Sequence, residues 1–280
     1  MRIAITGHKG QLGRELHRRL ADQDLLLIDL PEADITEPAG IIPLIVGFRP
    51  DVVLHTAAYT DVDGCARDPD LAFRVNTWGT QNVALACQRA GAALLHVSTN
   101  EVFDGTATEP YREWDPRHPI NPYAQSKAAA ERVVETLLTR FYIVRTSWLY
   151  APGGHNFPAK IIRAADTHGR LRVVTDEVAC PTYAPDLADA IIHLIQTGHY
   201  GIYHLVNEGY CSRHDFAARI LERAGRGHVP VDRIVLADYP RPSRVPPFTA
   251  LRNTCAAALG LTLRPWEQAL EAYFQAQLEG

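Results

Sequence analysis

The chain has few lysines and no long apolar run. Its 28 basic residues include only three lysines, at positions 9, 127 and 160, so the places where they occur carry information. No stretch approaches the roughly 20 apolar residues that a transmembrane helix requires. The first residues, 1-MRIAITG-7, are typical of a strand entering a turn and not of a charged leader before an apolar segment. We therefore expect a cytoplasmic protein that does not act in a membrane.

Metal-binding patterns and an excess of positive charge are also absent. None of the five cysteines pairs as CxxC, and no His and Cys residues have the spacing of a zinc site. We therefore expect free thiols in a reducing compartment, and no metal. The formal net charge of −4 and the pI near 6.3 argue against a nucleic-acid partner.

Apolar runs alternate with helical patterns over the first half of the chain. Continuous apolar strands separated by helices indicate a parallel sheet that is covered on both faces. Right-handed crossovers then predict an α/β fold of the Rossmann type, with a doubly wound parallel sheet. The predicted strands are 2–6, 25–30, 51–57, 92–98 and 141–147. The predicted helices between them are 11–21, 71–91 and 126–138.

The pattern becomes less regular after about residue 150. We predict a Rossmann domain over residues 1–150 and a smaller C-terminal lobe over 151–280, with a cleft between them. Strands near 171–175 and 201–206 are expected to complete the main sheet. Three further helices are predicted over 186–195, 214–224 and 266–278.

The glycine loop 7-GHKGQLG-13 follows the first strand and leads directly into a helix. In that context a GxxGxxG spacing presents bare backbone N–H groups to a pyrophosphate at a helix N-terminus. A glycine triplet alone is a weak signal, and its alternative is an ordinary tight turn. The residues predicted to contact a dinucleotide here are Gly7, Lys9, Gly10, Gln11, Leu12 and Gly13.

The next strand bears on which dinucleotide is bound. Asp29 stands at its end, where a carboxylate can accept hydrogen bonds from the adenosine ribose and so favours NADH over NADPH. Lys9 favours the opposite choice, because it could meet a 2′-phosphate. Both NADH and NADPH stay open. Asp34 and Ile35 are predicted to face the adenine, although Asp34 is equally well explained as a residue at the start of a helix.

A tyrosine and a lysine stand four residues apart in 121-NPYAQSKAAAER-132. Tyr123 and Lys127 would be neighbours on one face of a helix. A nearby ammonium is expected to lower the pKa of the phenol, which would suit it to proton transfer. The pair indicates a catalytic site more strongly because the glycine loop precedes it and because Ser98 and Thr99 end the strand before it.

Together these features resemble the extended short-chain dehydrogenase/reductase family, and within it the dTDP-4-dehydrorhamnose reductases. Most of the chain carries the resemblance, whereas dehydratases and epimerases of the larger family usually have GGxGFIG in the first loop. The similar blocks are 7-GHKGQLGREL-16, 57-AAYTDVDGCARDP-69, 103-FDGTATEPYRE-113, 145-RTSWLYAPGGHNF-157, 180-CPTYAPDLADAI-191 and 202-IYHLVNEG-209.

The resemblance implies that NADH or NADPH reduces the 4-keto group of a dTDP-4-keto-6-deoxyhexose to give dTDP-L-rhamnose. It makes Thr99, Tyr123 and Lys127 the catalytic set, with Tyr123 as the proton donor and Lys127 also anchoring the nicotinamide ribose. It places Ala58, Tyr59 and Thr60 beside the cofactor. The residues that it places beside the nucleotide sugar are Thr60, Val62, Thr99, Asn100, Glu101, Trp148, Asn156 and Arg244. Trp148 could equally be a core residue, and Arg244 in its Pro-rich loop a solvated one.

Glu101 departs from the family pattern. The reductases commonly read STDYVFDG where this chain has 98-STNEVFDG-105, so Asn100 and Glu101 replace Asp and Tyr. Nucleotide-sugar dehydratases read TDEVYG and use the Asp-Glu pair as acid and base. Because an amide cannot supply the proton that the Asp supplies, Glu101 is better read as a sugar contact than as a dehydratase base.

Two alternatives follow from these observations. Glu101 leaves open a 4-ketoreductase that acts on another NDP-deoxysugar. A noncatalytic NADP-binding subunit, resembling the regulatory subunit of methionine adenosyltransferase, is a second alternative, and the intact Thr99, Tyr123 and Lys127 argue against it. The sequence is compatible with a monomer or a homodimer.

Overall fold

A six-stranded parallel sheet forms the centre of the molecule. The computed structural model of the protein describes residues 1–153 and 156–279. The central strands stand in the order β2-β1-β3-β4-β5-β10, and all neighbours are parallel. The strands are β1 Arg2–Thr6, β2 Asp24–Ile28, β3 Val52–His55, β4 Ala93–Thr99, β5 Phe141–Thr146, β6 Leu149–Tyr150, β7 Leu171–Val174, β8 Val178–Ala179, β9 Thr182–Tyr183, β10 Gly201–His204, β11 Cys211–Ser212 and β12 Val231–Ile234.

Helices cover both faces of this sheet, as the continuous apolar strands predict. On one face α1 and α8 pack together, and on the other α2, α5 and α6 do so. The helices are α1 Gln11–Arg19, α2 Pro38–Phe48, α3 Val62–Arg67, α4 Pro69–Phe73, α5 Gly79–Ala90, α6 Pro122–Leu137, α7 Phe157–His168, α8 Ala184–Thr197, α9 Arg213–Arg223, α10 Thr254–Ala258 and α11 Trp266–Glu279. Among the described helices none is long and apolar enough to cross a bilayer.

The order of the strands reverses direction between β1 and β3. From β1 the chain first moves to the edge strand β2 and then crosses back over β1 to β3. In doubly wound sheets, ligands bind outside the carboxyl ends of the strands at such a switch point. The glycine loop after β1 and the segment after β3 meet there, because Thr56 donates its backbone N–H to the Thr6 carbonyl oxygen at 3.1 Å.

The single helix that the pattern predicts over 71–91 is interrupted. It consists of α4, a π-helical turn over Arg74–Trp78, and α5. At Gly79 a Cβ would lie 2.7 Å from Ile35 Cδ1, so a larger residue there would require the Ile35 side chain to shift. The π turn places Asn76 in the interior, where it reaches the loop that follows β3. Single π turns of this kind are common at functional sites.

Residues 151–280, predicted as the smaller lobe, contain a core of their own around α7, α9, α11 and β7. One prediction about this segment is wrong. β10 joins the central sheet beside β5, as expected for the segment near 201–206. The expectation that residues 171–175 extend that sheet is wrong, since β7 pairs with β12 in a separate two-stranded sheet. The apolar side chains of β7 pack with α7, α9 and α11 in the core of this lobe. Local strand pattern predicts a strand but does not reveal which partner it pairs with.

Candidate active site

A cleft of about 400 Å³ opens at the carboxyl ends of β1, β3, β4 and β5. Because parallel strands all end at this edge, residues far apart in sequence converge here. The predicted site residues that line the cleft are Gly10, Gln11, Leu12, Gly13, Ala58, Thr60, Val62, Thr99, Asn100, Glu101, Tyr123, Lys127 and Trp148.

The glycine loop fits the pyrophosphate of a dinucleotide. Gly7 has φ +73°, and a Cβ there would lie 2.6 Å from the backbone nitrogen of Ala57. A Cβ at Gly13 would overlap the Gly7 carbonyl oxygen. Helix α1 begins at Gln11, and no side chain caps its N-terminus. Uncapped N–H groups beside a glycine cradle are a ready anion site, so these residues fit the predicted cofactor.

Asp29 lies against this loop and Lys9 is paired elsewhere. Asp29 Oδ2 accepts the Lys9 backbone N–H at 2.9 Å, which holds the carboxylate beside the glycine loop. The Lys9 ammonium donates to the Leu30 carbonyl oxygen at 2.6 Å and to Glu32 at 2.8 Å. The Asp29 carboxylate therefore lies beside the glycine loop, and the positive charge of Lys9 is offset by Glu32.

Five other predicted cofactor contacts are not among the described residues that line this cleft. Gly7 and Lys9 belong to the glycine loop itself. Asp34 accepts the Thr36 N–H at 2.8 Å, and Ile35 is buried in the core beside α2. Tyr59 has its backbone N–H bound by the Asn76 side-chain oxygen at 2.8 Å, and Asn76 also donates to the Tyr59 carbonyl oxygen.

The catalytic candidates come from the end of β4 and the first turns of α6. The Asn121 side chain caps α6 by accepting the Ala124 N–H at 2.8 Å, and Pro122 occupies the first helical position. Tyr123 and Lys127 are buried and line the cleft together with Thr99. The structure therefore brings these three residues to one cleft, and their catalytic roles stay a prediction.

Lys127 is held from below by the sheet. Its ammonium donates to the Val97 carbonyl oxygen at 2.7 Å and lies 3.2 Å from His96 Nε2. Burial lowers the pKa of Lys127 to about 8, although the charge of Glu131 opposes this. His96 is also buried, and burial together with the Lys127 charge holds its pKa well below the ordinary value. A neutral imidazole can accept a hydrogen bond from the lysine.

The Tyr123 phenol differs from expectation. Its pKa is raised, first by burial and then by the negative charge of Glu101, while the Thr99 hydroxyl partly offsets the rise. Lys127 does not lower it because the ammonium is directed toward Val97 and His96. The phenol is therefore protonated at neutral pH, which suits it to donate a proton.

A buried ion-pair network, which no local sequence pattern predicts, supports this set. Glu131, one helical turn after Lys127, accepts two hydrogen bonds from Arg145 at 2.9 and 2.8 Å. It also accepts from Ser98 at 2.6 Å and from Arg117 at 2.9 Å. Three hydrogen bonds from guanidinium groups and one from a hydroxyl satisfy the Glu131 carboxylate. Burial raises the pKa of Glu131, but Arg145 outweighs this and keeps that pKa low. The network fixes the end of β4 against α6.

Asn100 and Glu101 have different surroundings. Asn100 is buried and donates to the Thr249 hydroxyl at 2.6 Å, which ties the end of β4 to the smaller lobe. Glu101 accepts a hydrogen bond from Asn121 Nδ2 at 2.8 Å. Burial raises the pKa of Glu101 to about 6. A carboxylate therefore stands in the cleft beside the catalytic candidates.

Trp148 forms the wall opposite the sheet. It has φ +43°, and the Arg213 guanidinium lies 3.6 Å above the centre of its ring. Phe216 stacks on it from the smaller lobe, so the residue packs in the core and lines the cleft at once.

The last two predicted substrate contacts lie elsewhere. Asn156 caps α7 and donates to the Ala151 carbonyl oxygen at 2.6 Å, so its polar atoms are engaged internally. The Arg244 side chain is exposed, and its carbonyl oxygen accepts from Asn121 at 3.0 Å.

A second cavity of about 480 Å³ continues from the cleft, and Arg213 lines both. It combines positive charge with aromatic and aliphatic walls. Arg213 and Arg241 each pair with an acidic residue of this lining, Arg213 with Glu177 at 2.9 Å and Arg241 with Asp63 at 3.0 Å. Its cationic and aromatic lining residues are Phe157, Lys160, Arg172, Arg213, Tyr239 and Arg241. These residues were not predicted from the sequence. The rarity of lysine is a signal that could have pointed to Lys160, but no local pattern distinguishes the arginines.

The comparisons agree with this architecture. Residues 1–278 match the family described as RmlD substrate binding domain. A dTDP-4-dehydrorhamnose reductase of Mycobacterium tuberculosis is 40% identical over 278 residues, covering 96% of this chain and 91% of that protein. The crystal structure of a dTDP-4-dehydrorhamnose reductase ortholog from Clostridium acetobutylicum superposes with a TM-score of 0.95 at 36% identity, covering both chains fully.

A second solved structure bears on the cofactor. The dTDP-4-dehydrorhamnose reductase of Bacillus anthracis, in complex with NADP, has a TM-score of 0.95 and 37% identity, covering 98% of this chain and 99% of that one. Fold, glycine loop and the placement of Thr99, Tyr123 and Lys127 agree with a nicotinamide-dependent reductase of this group. The chain belongs to the RmlD substrate binding domain family.

Proposed function

We propose that the chain is an NAD(P)H-dependent reductase of the 4-keto group of dTDP-4-dehydro-L-rhamnose, with dTDP-L-rhamnose as product. The observation that carries the proposal is the convergence of Thr99, Tyr123 and Lys127 at the end of a cleft that begins at the glycine loop. The names of the relatives support the substrate, since those proteins are dTDP-4-dehydrorhamnose reductases.

The residues divide the chemistry among them. The bound nicotinamide supplies the hydride. Thr99 donates a hydrogen bond to the ketone oxygen, and the protonated Tyr123 phenol transfers its proton to that oxygen as negative charge develops there. Lys127 lines the same cleft and is positively charged below a pH of about 8. Its role is to hold the nicotinamide ribose, since its ammonium is directed toward Val97 and His96 and not toward the phenol. The Glu131 network holds Ser98 and α6 so that these groups keep their spacing.

The second cavity fits the nucleotide part of the substrate. Arg213 and Arg241 can exchange their carboxylate partners for diphosphate oxygens, to which guanidinium groups bind in bidentate fashion. Phe157 and Tyr239 offer aromatic surface for the base. The sugar would then lie between Trp148 and Thr99. We infer a cytoplasmic site of action, which the five free thiols support.

The proposal is tested by following loss of reduced-nicotinamide absorbance. The substrate is generated from dTDP-glucose by a 4,6-dehydratase and a 3,5-epimerase, and NADH and NADPH are offered separately. We expect turnover that requires the epimerase and is lost in Tyr123→Phe. Tyr210→Phe, at an exposed tyrosine, is the matched control.

Two outcomes would favour the alternatives. Turnover without the epimerase indicates reduction of a different NDP-deoxysugar. Cofactor binding with no turnover of any 4-keto sugar would contradict the proposal and favour a noncatalytic subunit, which co-elution with a methionine adenosyltransferase would identify.

A further inference from the structure

Glu101 lies next to the group that is assigned to the ketone oxygen. It follows Thr99 by two residues, and the Thr99 hydroxyl accepts its backbone N–H at 3.2 Å. Thr99, Glu101 and Tyr123 all line the same cleft. A sugar whose C4 oxygen is held by Thr99 and Tyr123 would have a neighbouring ring carbon within reach of Glu101, and of the two neighbours C3 is the one that bears a hydroxyl.

The carboxylate is held with one oxygen available. Asn121 Nδ2 donates to Oε2 at 2.8 Å, and Asn121 is itself fixed by the Ala124 N–H and the Arg244 carbonyl oxygen. Among the described residues, Asn121 is the one hydrogen-bond donor to this carboxylate. Oε1 is left to accept a hydrogen bond from whatever occupies the cleft.

The charges around Glu101 come from several elements. Burial raises its pKa to about 6 and Glu177 adds to this, whereas Asn121, Arg241 and Arg213 act in the opposite direction. Its charge in turn raises the pKa of Tyr123. At neutral pH the group is ionised and largely removed from water, and such a carboxylate is stabilised by a further donor.

We propose that Glu101 is a specificity-determining residue, whose carboxylate accepts a hydrogen bond from a hydroxyl on the carbon next to the reacting ketone. The inference rests on the proposed 4-ketoreductase function and narrows its substrates to 4-keto-6-deoxyhexoses that keep a hydroxyl at C3. A tyrosine at this position, as in the resembling reductases, offers no charged acceptor.

The test compares two substrates and three proteins. The substrates are a dTDP-4-keto-6-deoxyhexose and the analogue that lacks the C3 hydroxyl; the proteins are the natural enzyme, Glu101→Gln and Glu101→Leu. For the natural enzyme we expect kcat/KM to favour the hydroxylated substrate by roughly 10- to 100-fold, the range for a hydrogen bond to a charged group. The preference should shrink in Glu101→Gln and disappear in Glu101→Leu, mainly through KM.

Equal discrimination in the natural enzyme and in Glu101→Leu would overturn the inference while leaving the reductase function intact. Failure of the natural enzyme to reduce either substrate would instead contradict the proposed function. Cofactor binding, followed by nicotinamide fluorescence, shows that each variant is folded.

Discussion

The two sides of the cleft hold their charges in different ways. On the sheet side, Glu131 is fully buried and bonded to Arg145, Arg117 and Ser98. On the side of the smaller lobe, Arg213 and Arg241 are partly exposed and each has one carboxylate partner. A saturated buried network resists rearrangement, whereas single, partly exposed pairs can exchange a partner for a ligand. The first suits a fixed catalytic set and the second suits recognition of a diphosphate.

The largest effect is expected where the buried network is broken. Glu131→Ala leaves Arg145 buried without its carboxylate, and removal of one partner of a buried pair costs about 3–5 kcal/mol. Glu135→Ala is the matched control, because Glu135 binds the same Arg117 but is 30% exposed. Urea unfolding should show a large loss of stability for the first variant and less than about 1 kcal/mol for the second. Similar losses in both would contradict the contrast between the two sides.

The fold was predictable where short segments decide it. The strand–glycine–helix order over 2–19 and the Asn-Pro start of α6 carry local signals, and the structure has those elements there. The pairing of β7 with β12 and the link from Arg213 to Trp148 depend on distant parts of the chain. Nothing in the local sequence encodes such partners, so the recognition side of the cleft was largely missed.

A substitution of Lys127 tests whether the sheet side keeps this buried ammonium at a cost in the free energy of unfolding. Its folded pKa of about 8 lies below the ordinary value near 10.5, so the unfolded chain binds more protons between these values. The stability of the natural protein should therefore rise, relative to Lys127→Met, as pH increases from 8 toward 10.5. The relative gain is on the order of 3 kcal/mol. Chemical unfolding of both proteins at pH 7, 8.5 and 10 measures this gain. A difference in free energy of unfolding that does not change with pH would show that burial does not lower the pKa of the Lys127 ammonium.

On the recognition side, Arg213→Met should weaken substrate binding more than it slows the chemistry. Loss of a hydrogen bond between charged groups costs about 1.5–3 kcal/mol, so KM should rise roughly 10- to 100-fold. Arg219→Met is the control, since Arg219 lies on the same helix and pairs with Glu222 at the surface. Steady-state kinetics separate KM from kcat. A loss confined to kcat would place Arg213 with the catalytic groups instead.

The smallest effect is expected at the glycine loop, where the charges of Asp29 and Lys9 bear on the choice between NADH and NADPH. Asp29 places a carboxylate beside the glycine loop, and Glu32 offsets the charge of Lys9. A carboxylate accepts from the 2′-hydroxyl of NADH and repels the 2′-phosphate of NADPH, so we expect the natural enzyme to prefer NADH. Asp29→Ala should reduce that preference by roughly tenfold, about 1.4 kcal/mol, measured as the ratio of kcat/KM for the two cofactors. Glu32→Ala frees Lys9 and should shift the ratio in the same direction by a smaller amount, because Glu32 is largely exposed. If Asp29→Ala leaves the ratio unchanged, Lys9 rather than Asp29 determines the cofactor preference. The Lys9–Glu32 pair on the sheet side would then be exchangeable, like the ion pairs of the recognition side.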